Sequence, residues 1–218
     1  MDENEYRSVA QGVALKLQTY LNDKDGWEVA KKFKDITVYC KKSPEFSGHL
    51  YKAEMTVNAP PATVFEYIDP WPDSPRLKWD NRMKGIETLK KFDKDLRVMR
   101  TYTSSACIGL ISPRDFVDVI YAVNTDKYIA TCAVSIESEQ CPPLSAYVRG
   151  WNHPCGLICC RVPNEPNKTK LVNLIQPDLG GMVPRGLVEA AMPPSIEGFY
   201  INLNGALKDD GKLISSDE

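Results

Sequence analysis

No stretch of this chain approaches the ~20 consecutive apolar residues that a membrane-spanning helix needs. Charge of one sign is not in excess: 27 Lys and Arg stand against 29 Asp and Glu, for a net charge of −2. That argues against the basic footprint of a nucleic-acid-binding protein, while leaving open a local basic docking face at Lys41, Lys42 and Lys52. Histidine occurs only at His49 and His153, so there is no histidine cluster. The seven cysteines are odd in number and irregularly spaced, which fits a reduced, cytoplasmic compartment in which thiols serve as small apolar residues. His153, Cys155, Cys159 and Cys160 form H-x-C-x3-C-C, which lacks the paired C-x2-C halves of a structural zinc site; no metal and no cofactor is expected. There is no G-x-S-x-G, no phosphate loop and no H-E-x-x-H, so no enzyme signature is present. The acidic start MDENEYRSVA is neither a secretory signal nor a transit peptide. Internal repeats, low-complexity segments and βαβ alternation are also missing.

What is there reads as helix, long meander, helix. Tyr6, Val9, Val13, Leu17, Tyr20 and Leu21 recur at helical spacing and predict an amphipathic helix over 4–21. Residues 27–34 fit no single pattern. Alternation predicts strands over 36–41 and 50–57, and Pro60-Pro61 opens a short helix over 62–68. Pro70, Pro72 and Pro75 mark a loop. Further strands are predicted over 84–91, 96–104, 115–123, 128–137, 147–162 and 170–176. The sum is an α+β chain with one curved antiparallel sheet of about nine strands. The last element, 185–207, carries an apolar stripe from Val188 through Met192, Ile196, Phe199, Leu203 and Leu207. Pro193 and Pro194 are expected to break it into a short and a longer segment, as a hinge or as a static kink. Residues 208–218 are polar and expected to fray.

The stretch 96–123 carries the candidate site. The connector Ser105-Ala106-Cys107-Ile108-Gly109-Leu110-Ile111 is apolar where a strand connector is normally polar, so it either packs on the protein or covers something greasy. Met99, Thr101, Thr103 and Ser105 share one face of the first strand; Asp118 and Ile120 share one face of the second. Such mixed faces suit a pocket that is mostly apolar with a few placed polar groups. Solvent-facing threonines and an ordinary helical core at Met192, Ile196, Phe199 and Leu203 are the plainer alternatives. Arg114 and Asp115 read as a structural pair anchoring the loop.

Trp79-Asp80, then Ile111-Ser112-Pro113-Arg114-Asp115-Phe116, then Val148 to Gly156 (VRGWNHPCG), Thr169-Lys170-Leu171, and Asp178 to Pro184 (DLGGMVP) follow one another in order. This ordered set resembles the START domain, the lipid-transfer domain related to the steroidogenic acute regulatory protein, over about residues 4–207. The resemblance implies a single domain across 1–218 with a helix-grip fold: a curved antiparallel sheet around a lipid tunnel closed by the C-terminal helix. It resembles the short, soluble sterol-carrying members, and so implies a cytoplasmic monomer that binds one sterol (cholesterol or oxysterol), touches membranes transiently and catalyses nothing. Within that resemblance the ligand-binding candidates are Arg100, Thr101, Thr103, Ser105, Asp118, Ile120, Met192, Ile196, Phe199 and Leu203. The lid and membrane-contact candidates are Cys107, Ile108, Leu110 and Ile111. Thr101 and Ile120 stand where several cholesterol carriers of the family hold an acidic residue and an arginine, so that polar pair is absent, and Arg100 with Asp118 is the candidate substitute. A bile acid is the competing ligand, with Arg100 or Arg149 as its cationic partner. A sensor that presents its lid to a protein, or a lipid-modifying enzyme using Asp118 or His153, are the readings outside this class.

Overall fold

Strands that are apolar on both faces need a cover on each side, and this chain supplies one from each end. The computed structural model describes residues 1–214. α1 (Glu3–Asn22) begins at a capping box, in which the Asp2 carboxylate accepts the Glu5 N–H at 2.9 Å and the Glu5 carboxylate accepts the Asp2 N–H at 2.6 Å. The chain continues through β1 (Glu28–Lys32), β2 (Thr37–Lys42), β3 (His49–Val57), α2 (Pro61–Ile68), the single-turn α3 (Arg76–Trp79), β4 (Met83–Lys91), β5 (Leu96–Thr103), β6 (Arg114–Asn124) and β7 (Tyr128–Ser135). It ends with β8 (Val148–Arg149), β9 (Trp151–Asn152), β10 (Cys155–Val162), β11 (Glu165–Ile175), β12 (Pro177–Asp178) and α4 (Arg185–Asp209). The main sheet runs β1-β2-β3-β11-β10-β7-β6-β5-β4, all antiparallel, with β8 laid parallel to β6 and a separate β9–β12 ribbon.

α1 covers the outer face. Val13, Leu17 and Tyr20 pack on Leu50, Ala130, Cys132, Ile158 and Val172, while Tyr6 and Ala10 pack on Leu96, Val98, Val117 and Val119. The inner face is covered by α2, Trp79 and α4, whose Met192, Ile196, Phe199, Tyr200, Leu203 and Leu207 are buried against Val38, Ala53, Val57 and Leu171. The Tyr200 hydroxyl lies 2.9 Å from the Ala53 carbonyl and 3.3 Å from that of Leu171, which ties the helix to two adjacent strands. The fold is the expected α+β helix grip.

Several boundaries differ from expectation. α4 is continuous across Pro193 and Pro194. The carbonyls that lose their helical partners belong to Glu189 and Ala190, which are solvent-exposed and so can be hydrated. The single strand expected over 147–162 is three pieces: it breaks at Gly150, where an added Cβ would sit 2.3 Å from a Phe116 ring carbon, and again at His153-Pro154, where proline has no N–H to donate. Residues 27–34 contain edge strand β1, which shifts register between Val29 and Lys31. The tail expected to fray is partly docked: α4 extends to Asp209, and the Ile214 N–H donates to the Asn58 carbonyl at 2.8 Å. Residues 215–218 of that expectation lie outside the described residues.

Replacing Tyr200 by Phe removes the hydroxyl that holds α4 to β3 and β11. The expected outcome is a loss of about 1 kcal/mol of unfolding free energy, read as a lower urea midpoint at unchanged m-value.

Candidate functional site

Strand alternation decides which side chains meet the space between sheet and α4. On β6, Arg114, Phe116, Asp118 and Ile120 face inward while Val117 and Val119 face α1. On β5, Thr101 and Thr103 face inward, paired across to Phe116 and the start of β6. These faces, with the inner residues of β7, β10 and β11 and one side of α4, enclose a cavity of about 680 Å³, within the range of single-ligand pockets.

The cavity brings together Thr101, Thr103, Ser105, Asp118, Ile120, Met192, Ile196 and Phe199, and Cys107 and Ile111 reach it from the 104–112 loop. Ile108 and Leu110 instead point to solvent, essentially fully exposed and mostly exposed respectively. That loop holds Cys107, Ile108 and Gly109 at φ 51°, 55° and 84°. A left-handed conformation is costly for a β-branched isoleucine, so the loop is strained where its apolar side chain is most exposed.

Three site expectations are corrected. Arg100 does not line the cavity and does not meet Asp118. It lies on the outer face of β5, where its Nε and Nη2 donate to the Asp115 carboxylate at 2.8 and 2.5 Å. A bulge would be needed to turn it inward, and β5 pairs with β6 without one. Leu203 is fully buried in the apolar core beneath α4, away from the cavity wall. The expected Arg114–Asp115 pair is also absent, because neighbours on a strand face opposite ways. Asp115 takes Arg100 and Arg149 on the outside. Burial pushes the Asp115 carboxyl up, but its bonds to Arg149 and Arg100 outweigh this and hold it below the usual carboxylate range. Arg114, facing in, donates to the carbonyls of Ser112 (2.5 Å), Leu179 (2.9 Å) and Gly180 (3.3 Å). Gly180 has φ +60° and an added Cβ there would meet the Arg149 carbonyl at 2.6 Å, so glycine permits this close approach.

Asp118 is buried in the cavity wall. Ser135 Oγ donates to its Oδ1 at 2.6 Å and Asn152 Nδ2 to its Oδ2 at 2.9 Å. Desolvation outweighs these bonds and raises its pKa to about 6. Sequence reasoning missed three lining arginines, Arg76, Arg82 and Arg114. Arg76 is paired with Asp80 at 3.2 Å. Arg82 donates to Ser195 Oγ, joining the turn after α3 to α4. Arg114 and Arg82 have no carboxylate within ion-pairing distance among the described residues. Also missed were Thr131, Asn152 and Asn173, which strand parity would have found once the strand pairing was known.

A sheet gripping a terminal helix around a cavity with more apolar than polar surface defines a helix-grip binding protein. The START domain family model matches residues 10–196, and the chain belongs to that family. It is 41% identical over 209 residues to "StAR-related lipid transfer protein 5" of Bos taurus, covering 95% of this chain and 98% of the relative. It is 38% identical over 191 residues to "StAR-related lipid transfer protein 4" of Homo sapiens, covering 88% and 91%. The solved structure of human StAR-related lipid transfer protein 5 superposes with a TM-score of 0.91 at 35% identity, covering 96% of this chain and all of that one.

The raised Asp118 pKa has a consequence for stability. Between its unfolded value near 3.8 and its folded value of about 6, the native state holds the extra proton, so this group's contribution falls as pH rises through that window. Asp118→Asn is expected to be more stable than the parent at pH 7 and to flatten the pH 4–6 segment of the stability profile, as measured by urea unfolding at stepped pH.

Proposed function

We propose that this chain is a carrier that takes one sterol-like lipid, cholesterol or an oxysterol, from one membrane to another through the cytoplasm, as a monomer and without a chemical step. The observation that carries the reading is the cavity: about 680 Å³, with more apolar than polar surface, its charged groups Arg76, Asp80, Arg82, Arg114 and Asp118 in the wall, beneath a strained loop that exposes Ile108 and Leu110. The names of its relatives, lipid transfer proteins spanning nearly the same length, support it. No helix among the described residues is long and apolar enough to cross a membrane.

Burying on the order of 400–500 Å² of apolar steroid surface at ~25 cal/mol/Å² is worth ~10 kcal/mol relative to water. The lipid comes from a bilayer that is nearly as apolar as the cavity, so the net exchange is close to balanced, and a carrier must be balanced to unload. The rate then rests on opening the roof. Ile108 and Leu110 are the natural bilayer contacts, since withdrawing them into lipid costs nothing in packing. Burial and the nearby Asp118 carboxylate push the Cys155 thiol in the cavity wall well up, and Asp118 itself is engaged by Ser135 and Asn152.

A second reading is a steroid bearing a carboxylate, such as a bile acid. Arg100 and Arg149, the cations expected for it, are both taken by Asp115. Arg114 and Arg82 are the alternatives, lining the cavity without a carboxylate partner.

Titration of the delipidated protein with a fluorescent sterol is expected to saturate at one per chain and to be displaced by cholesterol. Displacement by bile acids alone would favour the second reading, and absence of sterol binding would overturn the first. Leu110→Asp is expected to slow sterol transfer between liposomes about tenfold or more, since a charge at the bilayer contact opposes insertion, with unchanged thermal unfolding. Unchanged transfer would remove the loop from the mechanism.

A further inference from the structure

Thr131 on β7 and Asn173 on β11 are 5% and 8% exposed, and both line the cavity. Neither side chain makes a hydrogen bond within the described protein, and neither is among the polar atoms sealed from solvent without a partner, so both stay open to the cavity. Their registration is informative. On β10, Leu157 pairs with Thr131 on one side and with Asn173 on the other, so a carboxamide and a hydroxyl flank one leucine in a single row across three strands. The two strands that carry them stand about 10 Å apart, wider than the two hydrogen bonds of one oxygen, so a ligand oxygen above Leu157 meets one side chain directly and the other through a bridging water.

Asp118 contrasts with them. Each of its oxygens already has a protein donor. Thr101 and Ser105 also line the cavity without a side-chain partner but are less buried; among the buried lining groups the open hydrogen-bonding capacity lies not at Asp118 but in the Thr131–Asn173 row. That row is also further from the loop over the cavity. Thr131 pairs with Ala122 of β6, whereas Ser135, the partner of Asp118, pairs four residues nearer the start of that strand; four residues at ~3.3 Å each make roughly 13 Å.

We propose that Thr131 and Asn173 form the inner polar anchor of this cavity and receive an uncharged oxygen of the lipid, an alcohol or a ketone, which enters ahead of the apolar body. Both side chains can donate and accept, which matches a hydroxyl group. The row from Ala122 through Thr131, Leu157 and Asn173 to Ala53 contains no charged residue, so an ion placed there would lose its hydration without compensation. A carboxylate, if the ligand has one, stays at the outer end with Arg114. The proposal rests on the sterol-carrier reading and adds the orientation of the ligand and the two residues that select it.

The test compares cholesterol with 5-cholestene, the same skeleton without its hydroxyl, each offered from phosphatidylcholine vesicles to the full chain. The parent protein is expected to prefer cholesterol by about tenfold or more. In the Thr131→Val/Asn173→Leu double variant the preference is expected to collapse towards unity, with 5-cholestene bound at least as well as by the parent. Thr131→Ser, which keeps the hydroxyl, is expected to retain the preference, and thermal unfolding of each variant identifies any that fail to fold. If the folded double variant still prefers cholesterol tenfold, or if the parent binds both lipids equally, the anchor assignment is overturned while the carrier reading stands. If the parent binds neither lipid, the carrier reading fails and the anchor with it.

Discussion

Asp115 accepts four hydrogen bonds from two arginines, Nε and Nη2 of Arg100 and Nε and Nη2 of Arg149, over 2.5 to 3.1 Å. The mouth of the cavity is built around this carboxylate. It fixes β8 beside the start of β6, and the same arginines reach the carbonyls of Cys141 and Pro142, holding the end of the preceding loop. With the outer face of β6 pinned, the next residue back, Arg114, is obliged to face inward. There it gathers the carbonyls of Ser112, Leu179 and Gly180, which joins the loop over the cavity to the segment leading into α4. Three buried or half-buried charges in one network are rarely the cheapest way to gain stability, because removing any of them strands the others. What they provide here is a fixed geometry at the place where the roof must later part.

The interior follows the opposite logic. A wholly apolar cavity would hold a lipid but would not orient it, and a strongly charged one would cost too much to desolvate. The polar groups inside differ in how far the protein itself has satisfied them. Asp118 is engaged by Ser135 and Asn152, Thr103 exchanges bonds with the Arg114 backbone, and the half-buried Thr101 and the buried Thr131 and Asn173 are left open. A group satisfied within the protein shapes the wall; a group left open waits for a partner from outside. The strained Cys107–Gly109 turn and the outward Ile108 and Leu110 extend this division to the surface, where apolar groups without protein partners sit at the entrance.

Much of this arrangement was legible in the residues. The first helix, the meander of strands and the apolar stripe of α4 follow from periodicity, and the shared faces of β5 and β6 follow from alternation at Thr101, Thr103, Asp118 and Ile120. The same rule should have placed Arg100 outward; it does so because no bulge interrupts β5 against β6. Leu203 shares the stripe with Met192, Ile196 and Phe199, yet it faces solid core rather than the cavity. Periodicity reports which side of a helix is buried and is silent about whether the space opposite is filled.

By itself the sequence determined the α+β class, the order of elements, the ordered motifs that mark a START domain and the odd apolar loop between two strands, because each of these is set by local spacing. The tertiary structure alone decided that Asp115 serves Arg100 and Arg149 instead of Arg114, that Pro193 and Pro194 lie within one continuous helix, and that Thr131 and Asn173 come to flank Leu157. Those facts depend on which strands pair and in what register. Pairing joins residues far apart in the chain, as with Thr131 and Asn173, and no local pattern of side chains encodes it.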